Sequence, residues 1–289
     1  MSEELTQKIY NDVAHPALQT TGELLDLLPR AIKAALAPIE KWIMNREYQI
    51  KETAKLLERK LRNVPLEQIE TPEPYIAIPV LQYISYCMDN NELREMYANL
   101  LASSMNNVVK NGVHPGYVEI IKQLCPDEAK ILQHIAKEEK IPTISVYYCK
   151  SSGGNIRVLK DFSDAGYLTG CEKPENICRY LSNLFRLGLI EIPDSSPHVH
   201  YPLEDEQLYV SLEQYPYIQS FISNANVIED MKITSDIIRN HASITDYGKG
   251  FCAICLNTVT EFGKAIIEKP GIATDEEFDE MLNEIYGKK

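Results

Sequence analysis

"LREMYANLLASSMNNVVKNGVHPGYVEIIKQLCPDEAKILQHI", residues 93 to 135, is the stretch whose punctuation decides the fold class. Leu93, Met96, Tyr97, Leu100, Leu101 and Ser104 recur at intervals of three, four and seven, which places them on one face of a helix. Ala98, Ala102 and Ser103 are small enough for close helix contact. Asn111-Gly112 and His114-Pro115-Gly116 then mark a turn, because the first pair tolerates positive φ and Pro115 biases His114 away from helix. A second helix over Gly116 to Leu124 presents Val118, Ile121 and Leu124. Pro126 suits the first position of a third, where no backbone donor is needed, and Asp127 and Glu128 complement its positive end. Three helices joined by two turns read as packing machinery.

Working back toward the N-terminus, Pro74 to Pro79 and the prolines at 65 and 72 predict an extended, exposed connection from Val64, with a helix starting near Pro79 and carrying Val80, Leu81, Ile84, Cys87 and Met88. Before it, Ile39, Ile43, Ile50, Leu57 and Leu61 keep a near-heptad rhythm that predicts a long amphipathic helix from Pro38 to Arg62. Between Pro29 and Arg62 nine Lys or Arg face only four Glu. That basic face has two functional readings, contact with anionic lipid (Trp42 near the interface and Lys51, Lys55, Arg59 and Lys60 at the headgroups) or contact with an acidic partner. A solvated surface stitched by pairs such as Glu47 with Lys51 is the plainer one. Residues 1 to 21 read as a polar leader.

The combination of "LREMYANLLASSM" at 93 to 105, "HPGYVEIIKQLCPDEAKIL" at 114 to 132 and "ITDYGKGFCAIC" at 244 to 255 resembles the bacterial abortive infection alpha (Abi-alpha) family, a domain of unknown function. Ala37-Pro38 and the Pro-Tyr-Ile-Ala-Ile-Pro run at 74 to 79 fit the same pattern, and the likeness covers most of residues 25 to 258. What the resemblance implies is a bacterial protein assigned to phage defence. It carries over no catalytic residues.

Toward the C-terminus, Ile141 to Tyr148 alternates and is β-branched or aromatic enough to predict a strand, and Ser151 to Asn155 a loop. The Gly153-Gly154 pair lacks the Lys-Ser/Thr and the strand-to-helix setting of a phosphate cradle. Val158 to Ala165 and Glu175 to Leu187 read as two helices, and Leu189 to Ile192 as a strand. That order is the order of a winged helix, with Asn176 to Arg186 in the recognition position. Ile233 to Ile238 and Ala242 to Thr245, broken at Arg239-Asn240, read as a hairpin, and a last helix runs through Cys252, Cys255 and Val259. In the tail Thr274 can cap a helix with Glu277 three residues on, and Phe278, Met281, Leu282 and Ile285 form its apolar stripe.

Charge narrows the function classes. The net charge of -13 opposes generic nucleic-acid binding, and from Pro193 to Asp230 there are seven acids and no Lys or Arg. The candidate recognition helix offers Arg179 and Arg186 as its firm cations, few for a reader of base edges. Seven cysteines without an export signal predict reduced thiols. Cys252 and Cys255 lack a second pair at zinc spacing and share one face of an apolar helix, so buried thiols are expected; His198 and His200 in the acidic loop offer at most adventitious metal contact. Ser103, His114 and Glu119 have the residue types of a triad with nothing to fix their geometry.

The expectation is therefore a mainly α protein. A helical domain over 22–125 is followed by a winged-helix-like α+β domain over 126–270 and a C-terminal helix over 271–289. The expected protein is cytoplasmic and non-enzymatic, without cofactor or metal, and works in phage defence through a protein partner, a homo-oligomer or a membrane surface. The alternative is a winged-helix DNA-binding regulator using Arg179 and Arg186.

Overall fold

The computed structural model describes residues 47–87, 89–227 and 233–256, with side chains from Thr53 onward apart from those at 226 and 227. Among these, 47–124 with 253–256 form one unit and Cys125–Cys252 another.

In the first unit helix α1 (Glu47–Leu61) buries Thr53, Leu57 and Leu61, spaced four apart on one face. The predicted part of this helix before Glu47 lies outside the described residues. Helix α2 spans Pro74–Ile84 and so starts five residues earlier than the sequence suggests, with Pro74 in its first turn and Pro79 inside it. An interior proline costs about 3 kcal/mol. Burial of Ile76, Ala77, Val80, Leu81 and Ile84 offsets that cost, at roughly 1.5–3 kcal/mol for each large side chain. The connection before α2 is also less extended than expected. It forms a 3-10 turn at Leu66–Gln68, and Ile69 makes a β-bridge with Asn106, fastened by the Glu70 to Met105 backbone bond of 2.9 Å.

Helix α3 (Asn91–Ser104) and helix α4 (Gly116–Gln123) stand where the quoted stretch puts them. The Asn90 side chain caps α3 by accepting from the Leu93 N–H at 3.0 Å. Met96, Tyr97, Leu100 and Leu101 of α3 and Val118 and Ile121 of α4 are buried, so this helix pair is the core of the unit. Asn99, also buried, donates at 2.8 Å to the Cys255 carbonyl and satisfies an orphan acceptor at the end of the last described helix.

The second unit mixes helices with a four-stranded antiparallel sheet, so the described chain is α+β rather than mainly α. Helix α5 (Pro126–Glu138) opens it with Pro126 in the first turn, and the Glu128 carboxylate accepts from the Cys125 N–H at 2.8 Å. Strands β1 (Lys140–Lys150), β2 (Asn155–Phe162), β3 (Ile190–Glu191) and β4 (Ile233–Ile244) lie in the order β2-β1-β4-β3. Gly153 and Gly154, at φ 95° and 94°, turn β1 into β2, which gives the Gly-Gly pair a hairpin role.

Two sequence expectations fail here for stated reasons. Val158 to Ala165 is not a helix, since β2 occupies Asn155–Phe162 and only the short helix α6 (Ala165–Leu168) follows. Leu159 pairs with Val146 and Phe162 with Ile144, so Lys160 and Asp161 together oppose Ser145 in a β-bulge. The extra residue places Leu159 and Phe162, three apart, on one face and imitates a helical period. Nor is Ile233 to Thr245 a hairpin. Arg239 and Asn240 continue β4 opposite Ile144 and Thr143, and their polar side chains find partners in the Glu213 carboxylate and the Pro193 carbonyl, at 2.8 and 2.7 Å.

Helix α7 (Ile177–Arg186) follows a 3-10 turn at Pro174–Asn176 and buries Ile177, Tyr180, Leu181 and Leu184. Gly188, at φ 72°, ends it, and the Leu189 N–H reaches back to the Leu184 carbonyl at 3.1 Å. Helices α8 (Glu206–Glu213) and α9 (Pro216–Val227) lie between β3 and β4 in sequence, and helix α10 (Asp246–Cys255) carries the chain from the second unit into the last residues of the first.

Candidate functional site

The second unit exposes large apolar side chains on neighbouring elements. Phe162, fully buried at the end of β2, anchors a run of rings: Tyr215 lies 5.6 Å and Tyr217 5.9 Å from it, Tyr167 stacks 5.7 Å from Tyr215, and Phe221 sits 5.3 Å from Tyr217. The outer rings are far from covered, with Tyr167 46% and Tyr217 49% exposed, and Leu168, next to Tyr167 in the chain, is 66% exposed. Phe185 on α7 is 49% exposed. These uncovered rings make this unit the place to look for a functional surface.

The bulge in β2 equips this face with charge. Asp161 takes φ 52°, a conformation uncommon for a residue with a side chain. Ser145 holds it there: its hydroxyl donates to the Asp161 carboxylate at 3.2 Å and accepts the Asp161 N–H at 3.0 Å. The neighbouring Lys160 is thereby turned outward, its Nζ 6.0 Å from the centre of the Phe185 ring. Burial pushes the Asp161 carboxyl above the usual carboxylate range against the pull of Lys160, Ser145 and Arg157. Burial, with the Asp161 charge adding to it, pushes the Cys178 thiol of α7 up to about 11.

Because the folded carboxyl titrates above its unfolded value, its contribution to stability is full below the unfolded value and is lost as pH rises through the folded one. Wild-type protein is therefore expected to lose stability relative to Asp161→Asn as pH rises from the ordinary aspartate range, about 4, toward neutrality. Urea unfolding of both proteins at a series of pH values measures this, and parallel curves would exclude it.

Arg179 is exposed on the same outward stripe of α7 as Ser182, Phe185 and Arg186, at helical spacings of three, six and seven. Arg186 is partly committed: its Nε and Nη2 donate to the Asn183 side-chain oxygen at 3.1 and 2.7 Å, and Asn183 donates to Glu128 at 2.9 Å.

The residues proposed for membrane or partner contact lie in the first unit. Trp42 is outside the described residues, as is the Lys51 side chain. Lys55 is exposed on α1. Arg59 and Lys60 both pair with Glu95 of α3, Lys60 at 2.5 Å, so two of the proposed contact cations also join helices within the unit. Lys60 further lines a groove of about 260 Å³ with Leu61, Asn99, Ser103 and Ile254.

The imagined triad is not assembled. His114 accepts the Gly116 N–H on Nδ1 at 3.0 Å, Ser103 points to the Ile254 carbonyl at 3.5 Å, and Glu119 pairs with Lys122. In the other unit a polar cleft of about 460 Å³ is lined by Glu139, Lys140, Glu191, His241, Ser243 and Lys249 among others. Its groups are paired locally: Ser243 donates to Glu191 at 3.2 Å, His241 Nδ1 lies 2.8 Å from the Tyr201 carbonyl, and Lys249 meets Asp246 at 3.1 Å.

His198 and His200 are spread along β4, the first against Asp236 and the second accepting the Arg239 N–H. Among the described residues no group of three or more His, Cys, Asp or Glu is arranged to hold a metal ion, and no helix is long and apolar enough to cross a membrane. Cys252 and Cys255 are both fully buried in α10, and burial pushes the Cys252 thiol far above its ordinary value.

Sequence reading identifies Arg179 and Arg186 on this face and misses Tyr167, Phe185, Tyr217 and Lys160. One signal was there to be read. Ile177, Tyr180, Leu181 and Leu184 already complete the buried stripe of α7, which leaves Phe185 over.

Comparison with known proteins gives the family. No curated protein matches the chain. A solved structure of an uncharacterized protein from the hydrocarbon-degrading marine bacterium Alcanivorax borkumensis SK2 is similar at 19% identity and a TM-score of 0.33, over 49% of this chain and 92% of that one. A family model described as abortive infection alpha matches residues 45–255, most of the chain and both units. The chain belongs to the abortive infection alpha family.

Proposed function

We propose that this protein serves abortive infection without catalysing a reaction, by binding a protein partner through the aromatic and cationic face around α7. Family membership supports the defence role. The observations that carry the mode of action are the half-exposure of Phe185 beside Lys160 and the half-exposure of Tyr167 and Tyr217 in the run of rings anchored by Phe162. The basic helix α1 is the weaker place for such a contact, because Arg59 and Lys60 already answer Glu95.

Expression of the full chain is expected to lower phage plating and to spare cultures at low but not at high phage load. Phe185→Ser with Tyr217→Ser is expected to abolish that protection while the protein still unfolds cooperatively, at a midpoint lowered by the loss of the Tyr217 contacts with Phe162 and Phe221. Full protection by the double variant removes the proposed face. Arg59→Glu with Lys60→Glu, tested beside it in anionic-liposome co-sedimentation, reports separately on membrane contact.

One observation favours a second reading, a winged-helix DNA-binding regulator. The order α5, β1, α6, α7, β3, β4, with β4 paired between β1 and β3, matches that of a winged helix in which β2 extends β1 and α8 and α9 are inserted before β4. Helix α7 then stands in the recognition position with Arg179 exposed. Under this reading the full chain retains duplex DNA, retention falls steeply with salt, and Arg179→Ala weakens it. Failure to retain any duplex at about 50 mM salt removes the reading.

A further inference from the structure

We infer that the partner of the α7 face is a second copy of this chain, which offers the acidic and apolar patch where residues 199–208 run beside β4; the inference rests on the reading of the α7 face as a protein-contact surface. Both faces belong to the Cys125–Cys252 unit. On α7, Arg179 and Arg186 share the outward stripe, with Ser182 between them and the half-exposed Phe185 alongside. Asn183 holds the Arg186 guanidinium at 3.1 and 2.7 Å without cancelling its charge. Lys160, close to Phe185, is answered by Asp161 at 3.8 Å, and Glu175 stands one turn before Arg179, so the surplus charge comes from the two arginines. An uncovered ring flanked by arginines has the make-up of an interface anchor.

The complementary patch is built along β4. The Tyr201 N–H donates to the Arg239 carbonyl at 3.0 Å, and the Leu203 N–H donates to the Tyr209 hydroxyl at 2.9 Å, which fastens this stretch beside the strand. Asp205 then caps α8 by accepting the Gln207 N–H at 2.9 Å. Val199, Tyr201 and Leu208 are 40%, 44% and 39% exposed here, among the exposed carboxylates of Glu204, Asp205 and Glu206. Arg239 answers Glu206 at 3.7 Å and Glu213 at 2.8 Å, so the surplus negative charge comes from Glu204 and Asp205. Uncovered apolar side chains rimmed by carboxylates suit a ring rimmed by arginines.

Charge also decides the geometry. Pairing of α7 with itself about a two-fold axis would set arginine against arginine. Helix α7 packs on α5, β2 and β3 while α8 packs on β1, and the two patches share no residue. Their contact is therefore heterologous: a copy that docks through one face still presents the other, and the contact repeats into a ring or a filament.

Sedimentation velocity of the full chain between about 1 and 100 μM tests this. Wild type is expected to form species larger than the monomer, and less so as salt rises. Arg179→Glu with Arg186→Glu leaves the acidic patch intact; Glu204→Lys with Asp205→Asn, which keeps a capping side chain, leaves α7 intact. Each variant alone should associate at least about tenfold more weakly. An equimolar mixture should assemble again, because the acidic patch of the first variant meets the arginines of the second, a rescue that misfolded variants would not give. Wild type that stays monomeric, assembly untouched by either change, or variants that fail to complement each overturns the proposal. Loss on the arginine change alone points to α7 pairing with itself and overturns it too. These results are independent of phage protection: a monomeric wild type that loses protection on Phe185→Ser with Tyr217→Ser refutes the self-association alone.

Discussion

Replacing Gly248 by alanine is expected to destabilise the Cys125–Cys252 unit by about 3 kcal/mol, because the added methyl has nowhere to go. A Cβ at Gly248 would lie 2.0 Å from the Leu189 carbonyl oxygen and 2.9 Å from its carbon, both backbone atoms that no side-chain rotation can move. The closeness has a purpose in the fold. Thr245 caps α10 by accepting the Gly248 N–H on its hydroxyl at 2.9 Å, and the same hydroxyl donates to the Gly188 carbonyl at 2.6 Å. The start of α10 is thus drawn onto the turn that ends α7 and opens β3, and only glycine lets the backbones meet. Gly112→Ala is the matched control: its new methyl would meet the flexible Ile254 side chain at 3.4 Å, ordinary contact, so little change is expected. Urea unfolding of the two variants separates them. A Gly248→Ala protein with an unchanged midpoint would show that α10 does not pack on Leu189 this tightly.

Asp127→Ala is expected to cost about 3 kcal/mol at neutral pH, since it strands three donors at once. The Asp127 carboxylate accepts from the Glu172 N–H at 2.9 Å, the Lys173 N–H at 3.1 Å and the Tyr180 hydroxyl at 3.0 Å, and it sits in the first turn of α5, where the helix dipole favours an anion. This one side chain fastens the loop before α7 and α7 itself to α5. Burial alone would raise its carboxyl. The two backbone donors, Tyr180 and the Lys130 charge outweigh burial and hold it below the usual carboxylate range, while the Tyr180 hydroxyl is pushed up to about 12 by its own burial and by Asp127.

A depressed folded value means that the stabilisation is present above the unfolded value, about 4, and is lost as pH falls through the folded one. The gap between wild type and Asp127→Ala should therefore narrow in acid. Tyr180→Phe, which removes one donor and leaves the carboxylate bound, should cost only about 1 kcal/mol. A gap between wild type and Asp127→Ala that stays constant down to strongly acid pH would contradict this assignment.

Legibility from sequence followed locality. Helices α3, α4 and α5 were readable because their caps, prolines and apolar periods lie within a few residues of one another, and each local preference agrees with the packing. Where a partner distant in sequence sets the conformation, reading failed. Lys160 and Asp161 form a bulge because Ser145 bonds the Asp161 backbone and carboxylate, and the resulting three-residue spacing of Leu159 and Phe162 passed for a helix. Arg239 and Asn240 resembled a turn because their partners, Glu213 and Pro193, lie 26 and 47 residues away.

The candidate face divides along the same line. Its cations Arg179 and Arg186 could be named from the sequence, since charge on a helix is local information. Phe185 was legible only as the residue left over from the buried stripe of α7, and Tyr167 and Tyr217 were not legible at all, because an exposed and a buried tyrosine are the same letter until the neighbouring elements are placed.

By itself the sequence determined the family, the helical punctuation from Asn90 through Pro126 and the charge imbalance that disfavours a general nucleic-acid binder. Tertiary structure alone decided which apolar residues are left uncovered, that Lys160 points to Phe185, and that Arg59 and Lys60 pair with Glu95. The physical reason is range. Helix caps and turn residues act on φ and ψ within one turn, whereas burial, bulge register and ion pairing are set by segments that only the folded chain brings together.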